Sequence, residues 1–243
     1  MHTNLTIDCG NTAIKAVVWE GKRAIWRHTF QKFSHADAQS IIERYAPAKA
    51  IGCSVADENH PLKQILRDSF GEENVIWLTN STPMPISISY ATPDTLGVDR
   101  IAAAAGAVAV CPGKNLLVVD IGTAATYDVV TDKGEFIGGN IAPGVGMRLK
   151  ALHEFTARLP LVESLGTTPL FGITTDTAMR AGAIHGIAAE ITYYYSKLPE
   201  GTKLIITGGW GNDIARLLSI KAIVKPCLVS IGLNSILMYN ETK

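Results

Sequence analysis

Residues 5–22 read LTIDCGNTAIKAVVWEGK, and residues 117–134 read LVVDIGTAATYDVVTDKG. Setting Asp8 over Asp120 also sets Gly10 over Gly122, and Val17 and Val18 over Val129 and Val130. In each copy an apolar strand runs into Asp-x-Gly and then Asn or Thr. A second β-branched strand follows a short turn and stops at a glycine turn, near Gly21 or Gly134. Each stretch predicts a β-hairpin. A single Asp-x-Gly is an ordinary hairpin turn, but its return 112 positions later predicts a duplicated fold.

Working outward, periodicity predicts helices over 35–45, 61–70 and 99–110, with strands over 50–55 and 75–78. Cys111-Pro112-Gly113-Lys114 interrupts the pattern and sets a boundary between domains 1–112 and 113–243. The second half predicts helices over 144–155, 174–198, 212–218 (capped by Asn212) and 231–239. Strands are expected over 203–207 and just before Pro226. The fold class is α/β: two lobes that open with the same hairpin, with a cleft between them for a ligand.

The 243 residues are 47% hydrophobic and 18% charged, which suits a compact enzyme and excludes disorder. Twenty-two basic and 22 acidic residues cancel, so neither a nucleic-acid footprint nor a polybasic membrane patch is expected. Cys9, Cys53, Cys111 and Cys227 form no CxxC pair, which argues against disulfides and structural zinc. The N-terminus lacks a signal-peptide core, and the longest apolar run, 101–111, is too short to cross a bilayer. A soluble cytoplasmic protein is expected.

Glycines at the Asp-x-Gly turns allow backbone N–H groups to approach phosphate oxygens. Asn11, Thr12, Thr123 and Thr126 can add hydrogen bonds, and a strand-end carboxylate can hold a cation near the phosphates. The sequence contains neither GxxxxGK[ST] nor GxGxxG, so the P-loop and dinucleotide fingerprints do not apply. An apolar strand running into Thr207-Gly208-Gly209-Trp210 offers a place for a base or ribose, with Trp210 nearest the adenine. Two phosphate hairpins followed by a Gly-Gly turn resemble the actin, sugar kinase and Hsp70 superfamily. That resemblance implies the duplicated actin-like ATPase (ribonuclease H-like) fold with a nucleotide cleft between the lobes.

Where a loop enters a helix, Asp99 and Arg100 stand side by side. Asp99 can accept the proton of an attacking hydroxyl, and Arg100 can bind a carboxylate in bidentate fashion. The plainer reading is a helix N-terminus with Asp99 on the dipole and Arg100 in a surface ion pair. Cys9 reads as a small filler of the turn, without a basic neighbour in sequence, and the histidines show no ligand spacing.

The sequence resembles the type III pantothenate kinases nearly end to end. The resemblance is carried by Asp8-Cys9-Gly10-Asn11-Thr12, by Tyr90 with Leu96-Gly97-Val98-Asp99-Arg100, and by the 120–126 turn. It continues through Gly138-Gly139-Asn140-Ile141-Ala142-Pro143-Gly144, Leu159-Pro160 and the helix start at Thr175. It implies ATP-dependent transfer to the primary hydroxyl of pantothenate, the first step of coenzyme A synthesis, with Asp99 as general base. It further implies that Tyr90, Gly97, Val98, Asp99 and Arg100 bind substrate, with Thr175 reaching in from a partner subunit. Asp8, Cys9, Gly10, Asn11, Thr12, Ala13, Ile14 and Lys15 would hold ATP, with Thr123 at its phosphates. Asp8 would meet magnesium through water, and Asp120 would ligate potassium or ammonium. A homodimer is implied. Thr174 and Ala181 depart from the asparagine and serine the family favours there. A sugar kinase of the same superfamily and a non-catalytic nucleotide-binding regulator are the rival readings.

Overall fold

The computed structural model describes residues 2–54 and 60–242; Val55, the expected end of one strand, lies outside them. The chain divides into two compact units. One holds residues 1–112, 134–136 and 228–243; the other holds 113–133 and 137–227.

In the first unit β1 (Thr3–Cys9) and β2 (Ile14–Glu20) form the first hairpin, antiparallel from Thr3↔Glu20 to Cys9↔Ile14. Gly21, at φ 58°, turns the chain into β3 (Arg23–Phe30). Helix α1 (His35–Tyr45) begins at Ser34, whose hydroxyl accepts from the Asp37 N–H while the Asp37 carboxylate accepts from the Ser34 N–H. This reciprocal pair satisfies two otherwise orphaned donors. β4 (Pro47–Ser54) then runs parallel to β1, and α2 (Pro61–Phe70) leads to β5 (Val75–Trp77). The sheet order is β3-β2-β1-β4-β5. Leu5, Ile7, Ala16, Val18, Ala50, Leu62 and Leu66 form its buried core. β6 (Ser87–Ile88) and α3 (Val98–Val110) complete this part of the chain.

The second unit opens with β7 (Leu116–Ile121) and β8 (Ala124–Val130), the second hairpin. β9 (Glu135–Pro143), α4 (Val145–Glu154), α5 (Thr175–Tyr195), β10 (Lys203–Thr207), α6 (Gly211–Ala215) and β11 (Ala222–Val224) follow. The order β9-β8-β7-β10-β11 repeats that of the first sheet strand for strand. The duplication legible in two hairpins therefore extends to whole sheets. Glu135 and Phe136, at the start of β9, pair with β6 in the first unit.

Three sequence expectations change. α6 is capped at Trp210 without a side-chain hydrogen bond, so Asn212 is not its cap. β3 and β9 form strands that the sequence pattern did not announce. The last helix, α7 (Leu228–Glu241), belongs to the first unit, so a boundary at 112/113 alone misassigns residues 228–243. Its reason is steric: a Cβ on Gly232 would sit 1.7 Å from the Ala102 carbonyl oxygen, and one on Gly106 would sit 2.3 Å from that of Leu228. α3 and α7 thus meet backbone to backbone, as only glycine permits. Gly232→Ala is expected to cost about 1–3 kcal/mol through forced separation of the helices; urea unfolding checks it, and an unchanged midpoint would contradict the close packing.

Candidate active site

The first hairpin places Asp8 one residue from the end of β1, 6% exposed. Across the ladder stands Lys15, whose half-exposed ammonium is 3.7 Å from Asp8 Oδ2. On the other side β4 sets Cys53 in register with Asp8, and its thiol donates towards Asp8 Oδ1 at 4.0 Å. Burial pushes the Asp8 carboxyl above its ordinary value; Asp99 pushes the same way, and Lys15 opposes both. Burial, followed by the charges of Asp8 and Asp99, holds the Cys53 thiol well above its usual range, so it remains S–H. Gly10, Asn11, Thr12 and Ala13 form the turn; the Gly10 N–H donates to the Ala13 carbonyl at 3.2 Å, and Asn11 and Thr12 face solvent. Ile14 is buried and anchors the turn's return.

Cys9 does have a basic neighbour, supplied by the fold. His60 Nε2 lies 3.6 Å from Cys9 Sγ, while His60 Nδ1 accepts the Leu62 N–H at 3.2 Å. With Nδ1 occupied as an acceptor, the neutral ring carries its proton on Nε2 and donates towards sulfur. Burial raises the Cys9 thiol above its usual value despite a hydrogen bond with Ser54. Cys9 is therefore a protonated turn residue.

The second cluster of the same unit is the 90–100 segment. Gly97 precedes α3, and a Cβ on it would meet Asp99 Oδ1 at 2.6 Å, so a side chain here would displace the carboxylate. Asp99 Oδ1 accepts the Arg100 N–H at 2.8 Å. Val98 opens the helix beside them. Arg100 is 6% exposed, with its guanidinium carbon 5.8 Å from the Tyr90 ring and 5.6 Å from the Phe136 ring. It is buried rather than on the surface, with two aromatic rings within cation–π range. Sequence reasoning missed Phe136, which is fully buried, and Asn80, whose amide donates to the carbonyls of Pro93 and Leu96 and holds the loop. Both act across long sequence separations, where periodicity gives no signal.

In the second unit, Asp120 ends β7 as Asp8 ends β1. Gly208, at φ 89°, would place a Cβ 2.5 Å from Asp120 Oδ1, and the Trp210 N–H donates to the Ile121 carbonyl at 3.2 Å. The Gly-Gly turn and the second hairpin turn therefore adjoin. Gly122 and Thr123 are exposed at the tip. The Gly144 N–H donates to the Thr123 carbonyl at 3.0 Å. Thr175 is an exposed first-turn residue of α5, whose cap is a reciprocal Thr174–Thr177 pair. The threonine at 174 thus performs the capping task open to asparagine.

The profile of the family described as Type III pantothenate kinase matches residues 4–197. The type III pantothenate kinase of Bacteroides fragilis is 40% identical over 244 residues, covering 98% of each chain. Among solved structures, a Campylobacter jejuni protein assigned to the Baf family superposes with a TM-score of 0.64 at 24% identity, over 98% of this chain and 100% of that one. The activator of 2-hydroxyisocaproyl-CoA dehydratase from Clostridium difficile, with bound ADPNP, superposes with a TM-score of 0.57 at 11% identity, over 99% and 96%. These likenesses place the chain in the duplicated actin-like ATPase fold.

The raised Asp8 carboxyl has a consequence for stability. The folded chain holds this proton more tightly than the unfolded chain, so stability falls as pH rises from the ordinary value of 3.8 through the raised one. The deficit persists at neutral pH. Asp8→Asn removes it, so the variant without nucleotide or metal should melt above the parent at pH 7 in scanning calorimetry. A lower melting temperature would show that Lys15 and Cys53 compensate the carboxylate fully.

Proposed function

This chain belongs to the type III pantothenate kinase family, and we propose on that premise that Asp99 is the general base of its phosphoryl transfer. The chain is an ATP-dependent pantothenate kinase of coenzyme A biosynthesis. The observation that carries the residue assignment is the gathering of Asp8, Asp99, Arg100 and Tyr90 in one unit, with Asp8 and Asp99 in one electrostatic environment.

In the proposed reaction Asp99 takes the proton of the pantothenate hydroxyl. That oxygen bonds to the γ-phosphorus, the bond from phosphorus to the β-bridging oxygen breaks, and ADP leaves. Arg100, packed near Tyr90 and Phe136, binds the substrate carboxylate, with Gly97 and Val98 giving backbone access beside it. In the first unit the turn from Asp8 to Lys15, with Cys9, Gly10, Asn11, Thr12, Ala13 and Ile14, is assigned to the ATP phosphates; in the second unit the corresponding turn residue, Thr123, is assigned to phosphate as well. Phosphoryl transfer draws most of its acceleration from such positioning and charge stabilisation.

Magnesium fits Asp8. The carboxylate is buried and feels the charge of Asp99, a deficit that a cation would relieve, and magnesium held by one carboxylate plus phosphates and water needs no protein cage. Among the described residues no group of three or more His, Cys, Asp or Glu side chains could hold a metal. Bound there, the ion neutralises charge on the phosphates. Potassium or ammonium is assigned to Asp120, whose Oδ1 faces the side-chain-free Gly208.

A homodimer is part of the proposal. Phe155, Leu161, Leu165, Leu170, Phe171 and Ile173, between α4 and α5, are 65–92% exposed. The segment is nonetheless pinned: Arg180 Nε donates to the Glu163 carbonyl at 3.0 Å and Nη1 to that of Thr167 at 3.1 Å. Six such side chains present roughly 1,000 Å² of apolar surface, about what one partner of a stable pair buries. A second copy seated there would carry Thr175 with the contact. A cytoplasmic setting is supported by four free thiols and by the absence, among the described residues, of a helix long and apolar enough to cross a membrane.

Asp99→Asn is expected to lower kcat about a hundredfold to ten-thousandfold, the range for a general base, while pantothenate binding persists. A coupled ADP-release assay with pantothenate, with and without potassium and beside glucose and N-acetylglucosamine, checks base, cation and substrate together; full activity of the variant removes the base assignment. Phe171→Asp is expected to shift the protein to monomer in light scattering and to lower turnover with it. A dimer unchanged by the added charge would place the interface elsewhere.

A further inference from the structure

Beyond the reacting groups, the second unit contains a polar chain that the kinase reading does not use. Arg148 on α4 donates from Nη2 to both carboxylate oxygens of Glu190 on α5, at 2.8 and 2.7 Å. The Tyr127 hydroxyl on β8 donates to Glu190 Oε2. The neighbouring Arg148 Nε donates to the Pro143 carbonyl at 2.7 Å. The next residue, Gly144, hydrogen-bonds Thr123 and would place a Cβ only 2.2 Å from the Gly122 carbonyl oxygen and 2.6 Å from that of Thr123. One guanidinium therefore ties the α5 carboxylate to the backbone that rests against the second hairpin turn.

We propose that Arg148, held by Glu190, is a positioning residue for nucleotide phosphate binding: it fixes Pro143 and Gly144 so that Gly122 and Thr123 keep the backbone geometry a phosphate needs. This rests on the reading of the 120–124 turn as a phosphate site. The arrangement is more specific than an ion pair. Glu190 engages only Nη2, while the adjacent Nε of the same planar fork reaches the loop; a lysine ammonium, a single donor atom on a flexible stem, does not offer two fixed donor atoms to hold both partners. Gly186 faces Nη1, where a Cβ would stand at 3.1 Å, so the helix leaves room for the fork. Partial burial raises the Glu190 carboxyl, but the hydrogen bonds from Arg148 and Tyr127 and the Arg148 charge outweigh it and hold it below its ordinary value. Burial and then the Glu190 hydrogen bond hold the Tyr127 phenol far above its usual range, so it remains a donor. The clamp is thus charged and complete at neutral pH. It touches no reacting atom and acts through the Gly144–Thr123 contact.

The test compares Glu190→Gln and Arg148→Lys with the parent by calorimetric titration of ADP with magnesium, by KM for ATP and for pantothenate, and by melting temperature. ADP affinity and KM for ATP are expected to worsen roughly tenfold, the scale for losing a group that orients a binding residue. KM for pantothenate should hold. Arg148→Lys keeps a charge beside Glu190 and guards against a Glu190→Gln variant that does not fold. Unchanged ADP affinity with a lower melting temperature, in either variant, would make the clamp purely structural and overturn the proposal. A parent that binds no nucleotide would overturn it too. A parent that binds ADP but phosphorylates no pantothenate would sink only the substrate reading, because the clamp is judged on ADP affinity alone.

Discussion

Asp8 is a carboxylate taken out of water within the field of a second carboxylate, Asp99, with one half-exposed lysine and one thiol to answer it. A chain selected for stability alone would not place it there, because desolvating an acid within the field of another disfavours its charged form. The surroundings follow from that constraint. Cys53 is buried where its thiol is kept protonated, so it can donate to Asp8 without adding a charge of its own. Lys15 is exposed enough to move when anionic oxygens and a cation arrive. The carboxylate thus sits in surroundings that disfavour its charge, the kind of local cost ordinarily retained at functional positions.

The two hairpins have diverged within a shared plan. Four residues separate the last paired positions Cys9 and Ile14, but only three separate Ile121 and Ala125. The shorter turn slips the second ladder by one residue, so Asp8 faces Lys15 while Asp120 faces Thr126. One strand-end carboxylate thus has a cation opposite it and the other an uncharged hydroxyl. The same backbone idea yields two electrostatic environments.

Both hairpins were legible in sequence because apolar alternation and glycine turns are local signals, and the bounds of α1 and α2 followed from periodicity. β3 was not legible: it is mostly exposed, and its polar and aromatic residues give no clean alternation. β9 was visible only as a glycine-rich motif. At the site, the 8–15 and 97–100 segments could be read because their residues are contiguous. Phe136 beneath Arg100, Asn80 on the 93–97 loop, His60 beside Cys9, and the Arg148–Glu190 pair could not, because each contact joins residues that only the folded chain brings together. The aliphatic residues of α7 announced a helix, while its glycine, which decides where that helix docks, is silent until Ala102 is known to lie against it.

That last packing bears on how the chain is made. Synthesis proceeds from the N-terminus and domains tend to fold as they emerge, yet the first unit includes α7, which is made after every element of the second unit. From the completion of α3 until α7 emerges, α3 therefore carries an alanine-lined face without its partner, while the second unit is being made. The half made first is the half finished last, and the interval between is a window in which a chaperone, or a neighbouring nascent chain, meets that face before α7 does.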